Sequence, residues 1–137
     1  MSYLVMIVDD DDDDFILLSS HIKHCHQNVT LIYAQNGVEA TEKLNNGLHP
    51  NLIILDANMP LMSGYELLVW LMKSTVWRHI PVVIWTGAMS DSEVTRYYRA
   101  GANTVLLKEK ALKSVDAFCQ HWFELVQLPE LVSTERE

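Results

Sequence analysis

Carboxylate side chains are the first feature of this sequence that could do chemistry. Six consecutive aspartates, Asp9–Asp14, directly follow an apolar run that ends at Val8, and a further aspartate, Asp56, ends the apolar stretch NLIILD. Carboxylates held close together repel one another unless a cation offsets the repulsion, and carboxylate oxygens are the ligands that Mg²⁺ takes in proteins. The pattern indicates a cation site if the fold brings Asp9, Asp10 and Asp56 together, and a solvated acidic run if it does not.

Two more polar side chains stand in the same relation to apolar runs. Thr86 ends the stretch PVVIWT, and Lys108 ends the stretch TVLLK. A hydroxyl and an ammonium group beside a cation make a pocket for a dianionic phosphoryl group. Thr86 alone would be an ordinary strand residue, so the phosphoryl interpretation depends on these positions meeting in space.

The apolar runs predict the elements that would bring these residues together. They are rich in Val, Ile and Leu and barely alternate with polar residues, which is typical of strands buried on both faces of a parallel sheet. Helix-like amphipathic stretches lie between them, so right-handed crossovers give a doubly wound α/β fold. Such sheets bind ligands at the carboxyl ends of their strands. The five runs are Tyr3–Val8, Val29–Ala34, Asn51–Asp56, Pro81–Thr86 and Thr104–Lys108.

The stretches between the runs carry helix signals. SDSEVTRYYRAG opens with a capping box at Ser90 and Glu93 and stops at Gly101, and ALKSVDAFCQHWFELV predicts the last of five helices. We predict one domain over residues 1–128 and a short tail over residues 129–137.

Composition narrows the class of function. The formal net charge is −8 and the sequence pI is about 5.1, which argues against non-specific nucleic-acid binding. No apolar run approaches the roughly 18 residues of a membrane span, and the N-terminus lacks a basic leader region. We expect a cytoplasmic protein that does not bind membranes. Cys25 and Cys119 form no motif, so we expect them to be reduced, partly buried thiols.

Four motifs in this order resemble the receiver domains of two-component response regulators, over residues 3 to about 126. They are IVDDD, LIILDANMPLMSG, IPVVIWTGA and AGANTVLLK. The resemblance implies a flavodoxin-like five-stranded sheet of order 2-1-3-4-5. It implies that Asp56 accepts a phosphoryl group from a phosphohistidine on a partner histidine kinase, and that Thr86 and Lys108 bind the phosphoryl oxygens. The protein would be a single-domain response regulator that signals through protein–protein contacts and is not an enzyme.

The same resemblance implies how Mg²⁺ would be held. Asp10, Asp56 and the backbone carbonyl of Asn58 would be its ligands, with Asp9 helping directly or through water. The remaining aspartates, Asp11–Asp14, are interpreted as the N-cap and first turn of the first helix, where acidic groups favour the helix dipole.

Two positions depart from the family pattern. Glu109 follows Lys108 where family members usually carry proline, so we expect a trans or rebuilt loop there, since a non-proline cis bond costs about 3 kcal/mol. Val105 stands where the family often has an aromatic switch residue, and we expect the bulky Trp85 to fill part of that space. The ending FCQHWFELVQLP also resembles the single-domain regulators of bacterial phytochrome kinases.

The last predicted helix carries two apolar stripes at helical spacing. Because one stripe suffices to dock a helix on a sheet, the second predicts a homodimer through this helix. Packing of the second stripe within one chain is the alternative. The first stripe is Ala111, Val115, Phe118, Trp122 and Leu125, and the second is Leu112, Cys119, Phe123 and Val126.

Two other functions stay open on sequence alone. A phosphatase of the haloacid-dehalogenase type also has an Asp-x-Asp motif, which Asp9 and Asp11 fit, together with a Thr and a Lys. It would leave Asp56 and the following Met-Pro unexplained. A degenerate receiver that only binds partners is the third hypothesis. The intact acceptor, acidic pair, Thr and Lys argue against it, and the missing proline and switch aromatic keep it open.

Overall fold

A parallel five-stranded sheet forms the centre of the molecule. The computed structural model describes residues 3–122. The strands are β1 Tyr3–Val8, β2 Val29–Ala34, β3 Leu52–Asp56, β4 Val82–Thr86 and β5 Thr104–Leu107. Their order in the sheet is β2-β1-β3-β4-β5 and every neighbouring pair is parallel, which confirms the predicted doubly wound, flavodoxin-like fold.

Helices alternate with the strands and cover both faces of the sheet. They are α1 Asp12–Cys25, α2 Gly37–Asn45, α3 Gly64–Met72, α4 Asp91–Ala100 and α5 Lys108–Ala111. Residues 115–122 are also helical, and we call them the C-terminal helical segment. No helix of the described part of the chain is long and apolar enough to cross a membrane.

Two apolar clusters hold the helices on the sheet, one on each face. On one face α1 and the C-terminal helical segment pack against alternate residues of the central strands, with Leu18, Ile22 and Phe118 buried there. On the other face α2, α3 and α4 supply buried side chains such as Leu44 and Leu68. All five residues of β3 and of β4 are buried, which explains why their sequences are almost continuously apolar.

Local capping determines where the helices begin. The side chain of Asp11 accepts hydrogen bonds from the backbone N–H groups of Asp13 and Asp14, so it is the N-cap of α1 as predicted. The capping box of Ser90 and Glu93 opens α4 as predicted. The first turn of α1 therefore consists of aspartates, which stabilise the positive end of the helix dipole.

The last predicted helix is interrupted. Lys108 opens the four-residue helix α5 instead of ending β5, and residues 112–114 separate α5 from the C-terminal helical segment. The hydroxyl of Ser114 accepts a hydrogen bond of 3.0 Å from the N–H of Ala117. This N-cap contact restarts the helix after Ser114, and it is the physical reason that a continuous helix from Ala111 was wrong.

The two cysteines form a disulfide bond, so the expectation of reduced thiols was wrong. Cys25 is the last residue of α1, and Cys119 lies in the C-terminal helical segment. These elements pack side by side, with the rings of His21 and Phe118 in edge-to-face contact at 5.4 Å. The packing brings the two cysteine Cα atoms to 5.3 Å, although the residues are 94 apart in sequence. A Cα–Cα distance of 5.3 Å is ordinary for a disulfide bond.

The two stripes of the last helix are only partly within the described residues. Ala111, Phe118 and Trp122 of the first stripe are buried as predicted. In the second stripe Leu112 packs against the same cluster and Cys119 is bonded to α1. Leu125, Phe123, Val126 and the predicted tail over residues 129–137 lie outside the described residues.

Candidate functional site

The polar strand ends meet at the carboxyl edge of the sheet. Asp9 directly follows β1, Asp56 ends β3, Thr86 ends β4 and Lys108 directly follows β5. The strand order makes β1, β3 and β4 neighbours. The edge strand β2 ends in Ala34 and contributes no comparable group. Each of the four residues lies at or directly after the carboxyl end of a parallel strand, which is the expected ligand position.

Three carboxylates converge at this edge. Oxygens of Asp9, Asp10 and Asp56 all lie within 4.8 Å of one another. Asp9 is fully buried and Asp56 is 5% exposed, whereas Asp10 is exposed. Like charges held this closely repel, and hard oxygen donors from three carboxylates suit a divalent cation of the Mg²⁺ class. The residues therefore fit the metal that the resemblance implies.

Asp9 is the most constrained of the three carboxylates. Its Oδ1 accepts a hydrogen bond of 2.9 Å from the backbone N–H of Asp11. Its Oδ2 accepts a bond of 3.0 Å from the indole N–H of Trp85 and one of 3.1 Å from Lys108. Trp85 is itself 1% exposed. Buried carboxylates need such partners, and here both oxygens have one.

Lys108 lies within reach of three carboxylates. Its Nζ is 2.7 Å from Oδ2 of Asp14, 3.1 Å from Oδ2 of Asp9 and 3.6 Å from Oδ1 of Asp56. Burial lowers the pKa of Lys108, but the carboxylate partners together outweigh burial and leave its pKa raised. The ammonium group is therefore charged at any physiological pH.

Asp56 is held in an environment that disfavours its charge. Burial is the largest cause, and the charge of Asp9 acts in the same direction. Lys108 and the backbone N–H of Asn58, which donates to Asp56 at 3.4 Å, act the other way. The net effect raises the pKa of Asp56 to about 7. A cation or a proton at this site would relieve the cost of the buried negative charge.

Thr86 lies beside Asn58 at the same edge. Its hydroxyl accepts a long hydrogen bond of 3.5 Å from the side-chain amide of Asn58 and donates one of 3.3 Å to the carbonyl of Ala88. Thr86 is fully buried.

Gly64 allows the chain after β3 to pass close to the end of that strand, because a Cβ at this position would collide with the carbonyl oxygen of Asp56. At this close approach the backbone N–H of Gly64 donates a hydrogen bond of 3.1 Å to the carbonyl oxygen of Ala57.

The two departures from the family pattern have different outcomes. The described residues contain no cis peptide bond, so the bond between Lys108 and Glu109 is trans, as expected. The expectation that Trp85 fills the space of the switch aromatic was wrong. Trp85 packs in the cluster under α1, whereas Val105 packs in the cluster on the opposite face. Successive side chains of a strand point to opposite faces, so the residue next to Thr86 cannot share its side of the sheet.

Sequence reasoning missed two residues of this site, Asp14 and Trp85. Asp14 was assigned only to the first helical turn, and Trp85 only to apolar packing. A signal for Asp14 was present, because it lies four residues after Asp10 in the same acidic run and Lys108 is the cation at another strand end of the same edge. The sequence signal for Trp85 was weaker: a buried indole N–H usually has a hydrogen-bond partner, but the sequence does not say which one.

The fold and the site define a class of protein, a flavodoxin-like α/β domain with an acidic pocket and a lysine at the carboxyl edge of its sheet. The family profile described as the response regulator receiver domain matches residues 5–118, and the chain belongs to that family. Receiver domains are modules of phosphorylation signalling and are not generally classed as enzymes. The predicted class is confirmed, and the comparisons do not favour a dehalogenase-type phosphatase.

Individual relatives cover most of the chain. The response regulator Rcp1 of a Synechocystis strain is 32% identical over 124 residues, which are 83% of this chain and 81% of that protein. The structure of the Mn(2+)-bound form of Rcp1 is 27% identical with a TM-score of 0.77, covering 87% of this chain and 90% of that one. The bacteriophytochrome response regulator AtBRR is 26% identical with a TM-score of 0.75, covering 91% and 93%.

Proposed function

We propose that this receiver domain accepts a phosphoryl group on Asp56 from a partner histidine kinase and signals in its phosphorylated form. One observation carries the proposal. Asp56 ends the central strand β3, and its carboxylate lies beside the other acidic side chains and 3.6 Å from the ammonium group of Lys108. Asp9 shares these neighbours, but both of its oxygens are already held, by the indole N–H of Trp85 and by the backbone N–H of Asp11. A nucleophile between a cation site and a fixed positive charge is suited to attack a dianion.

The transfer needs little more than positioning. One oxygen of Asp56 forms a bond to phosphorus while the bond from phosphorus to the kinase histidine nitrogen breaks, and its electron pair returns to the imidazole. Lys108 takes a phosphoryl oxygen as an ion pair. The Thr86 hydroxyl, which now donates to the carbonyl of Ala88, turns to donate to a second phosphoryl oxygen.

We assign the cation as Mg²⁺, held by Asp10, Asp56 and the backbone carbonyl of Asn58, with Asp9 acting directly or through water. The convergence of three carboxylates supports this assignment. The full set of hydrogen bonds to Asp9 favours the indirect role for that residue. When bound, Mg²⁺ would neutralise the charge that gathers between the acceptor and the phosphoryl group.

Intact-mass measurement after incubation with Mg²⁺ and acetyl phosphate tests the acceptor without the kinase. We expect wild type to gain one phosphoryl mass and Asp56→Asn to gain none while keeping its fold by circular dichroism. Asp13→Asn, an exposed neighbour in the acidic run, is the control and should be phosphorylated. A phosphoryl group on Asp9 or Asp10 in the Asp56→Asn variant would contradict the assignment.

The partner and the compartment are part of the proposal. Similarity to Rcp1 and to the bacteriophytochrome regulator supports a phytochrome-type histidine kinase.

We propose the cytoplasm as the compartment of this protein. The disulfide bond between Cys25 and Cys119 is an observation against that compartment, because cytoplasmic thiols are ordinarily reduced. Alkylation of intact cells followed by mass analysis decides the question, since only reduced cysteines react.

We also propose a homodimer through the last helix, without nucleic acid or membrane as a partner. The half-buried edge strand β5 and the half-exposed Tyr98 support an interface on this side. Sedimentation of wild type at tens of micromolar, an order of magnitude suited to weak pairs, should show a dimer that Phe123→Asp breaks. Gln120→Asp adds the same charge at an exposed position of the C-terminal helical segment and should leave the dimer intact. A monomeric wild type, with and without beryllofluoride, would rule it out.

A further inference from the structure

The partner that Lys108 holds most closely is Asp14, a residue to which the acceptor chemistry assigns no role. The two side chains meet at 2.7 Å, closer than Lys108 approaches Asp9 or Asp56. Asp14 reaches it from the first turn of α1, 94 residues away in sequence. The lysine that should bind a phosphoryl oxygen therefore already forms a charge-assisted hydrogen bond with a carboxylate.

An ammonium group has three donors. Lys108 donates hydrogen bonds to Asp14 and Asp9, and it faces Asp56 at the longer distance of 3.6 Å. A phosphoryl dianion on Asp56 draws the ammonium group towards that side, and a closer contact there has to lengthen the contact with Asp14 or with Asp9. Asp9 cannot move away, because it is fully buried and its oxygens are held by Trp85 and by the backbone of Asp11. Asp56 becomes the phosphorylated residue itself. Asp14 is the remaining partner, and its side chain is 28% exposed, so water can replace the lysine.

We propose that Asp14 is a positioning residue that holds Lys108 in the unphosphorylated protein and competes with the phosphoryl group for it. This inference rests on the proposed function of Asp56. Phosphorylation moves the ammonium group from Asp14 to a phosphoryl oxygen, and Asp14 turns to solvent. Loss of the phosphoryl group returns Lys108 to Asp14. The carboxylate thereby sets how readily the site is filled and how long it stays filled.

The neighbouring residue provides a matched control. Asp13 lies in the same helical turn, is exposed, and makes no contact with Lys108 among the described residues. Asp13→Asn and Asp14→Asn remove the same charge from the same end of α1, so both lose the same interaction with the helix dipole. A difference between the two variants therefore reports the contact with Lys108 and not the net charge.

The experiment titrates beryllofluoride at saturating Mg²⁺ and follows the change in tryptophan fluorescence, to which Trp85 contributes because its ring lies against Asp9 and Lys108. It also measures phosphorylation rates with phosphoramidate. Asp14→Asn should bind beryllofluoride roughly two- to fivefold more tightly than wild type, the range expected for removal of a partly exposed ion pair. It should be phosphorylated faster by a similar factor and lose the group more slowly. Asp14→Glu should restore wild-type behaviour, and Asp13→Asn should match wild type.

Urea unfolding in the absence of metal tests the ion pair between Asp14 and Lys108 in the unphosphorylated protein. Urea unfolding should show a lower midpoint for Asp14→Asn than for Asp13→Asn, and the difference should vanish when Lys108→Met is present in both. Equal affinities for beryllofluoride in the two Asn variants, or weaker binding by Asp14→Asn, would overturn the inference while leaving the acceptor role of Asp56 in place. A wild-type protein that gains no phosphoryl mass would remove the proposed function and this inference with it.

Discussion

The indole N–H of Trp85 donates a 3.0 Å hydrogen bond to Oδ2 of Asp9, and both side chains are almost completely buried. The same carboxylate oxygen accepts from Lys108. The ring of Trp85 packs in the apolar cluster under α1, and its N–H group holds a carboxylate of the acidic pocket in place. Hydrophobic packing and the geometry of the site are joined at this residue.

The Trp85 contact predicts an asymmetry between two buried tryptophans. Trp85→Phe removes ring area and the donor to Asp9, whereas Trp122→Phe removes similar area from a ring whose N–H has no hydrogen-bond partner among the described residues. We expect Trp85→Phe to reduce the free energy of unfolding by about 1–3 kcal/mol more than Trp122→Phe, because a buried carboxylate loses a partner. Urea unfolding followed by circular dichroism measures both. Equal losses would show that the hydrogen bond contributes nothing measurable.

Metal binding should depend on Asp10 in particular. Asp10→Ala should weaken Mg²⁺ binding roughly tenfold or more, a loss comparable to that of an important metal-site group, whereas Asp13→Ala should bind Mg²⁺ almost as wild type does. The charge of Asp10 also raises the pKa of Asp56, so its removal should lower that pKa. Calorimetric titration with Mg²⁺ gives the affinities. Unchanged Mg²⁺ binding by Asp10→Ala would show that the cation is not held at the proposed position.

The stability of the metal-free protein should fall as pH rises towards neutrality. The pKa of Asp56 is raised to about 7 in the folded state, mainly by burial, whereas an aspartate of the unfolded chain titrates near 3.9. Between these values the folded state binds the extra proton, so the free energy of unfolding decreases with pH, by at most about 1.4 kcal/mol per pH unit. Above pH 7 both states are ionised and the dependence levels off.

Asp56→Asn is the control for that pH dependence. It cannot titrate, so its free energy of unfolding should lack the fall that wild type shows between about pH 4 and pH 7. Saturating Mg²⁺ should also remove the fall, because the cation binds the ionised carboxylate. Denaturant unfolding at half-unit pH steps provides the curves. Parallel pH profiles for wild type and Asp56→Asn would show that another group causes the dependence.

The disulfide bond predicts both a chemical and an energetic result. Native, unreduced protein should not react with iodoacetamide at Cys25 or Cys119, and reduction should expose two reactive thiols. The bond spans 94 residues, and closing a loop of this order destabilises the unfolded chain by up to about 4.7 kcal/mol through lost chain entropy. Reduction, or the double variant Cys25→Ser with Cys119→Ser, should lower the free energy of unfolding accordingly. Two alkylated cysteines in the unreduced protein would contradict the pairing.

Residue pattern alone was sufficient for the architecture of this protein and for most of its site. The runs at Tyr3–Val8 and Val29–Ala34 coincide with β1 and β2. Continuous apolar sequence is typical of a strand inside the sheet such as β1, and β-branched and aromatic residues favour the partly exposed edge strand β2. Asp56 and Thr86 were predicted at the site because a strand that ends at the ligand edge places its last residue there. The capping box of Ser90 and Glu93 is equally local, since its four residues meet within one turn.

Tertiary structure alone decided the pairings between distant elements. Asp14 meets Lys108 across 94 residues, Trp85 meets Asp9 across 76, and Cys25 meets Cys119 across 94. Hydrophobic periodicity encodes which side of an element is buried, and it carries no information about which residue of the neighbouring element lies opposite. That depends on where each helix crosses the sheet and how far it is rotated, which packing of the whole domain determines.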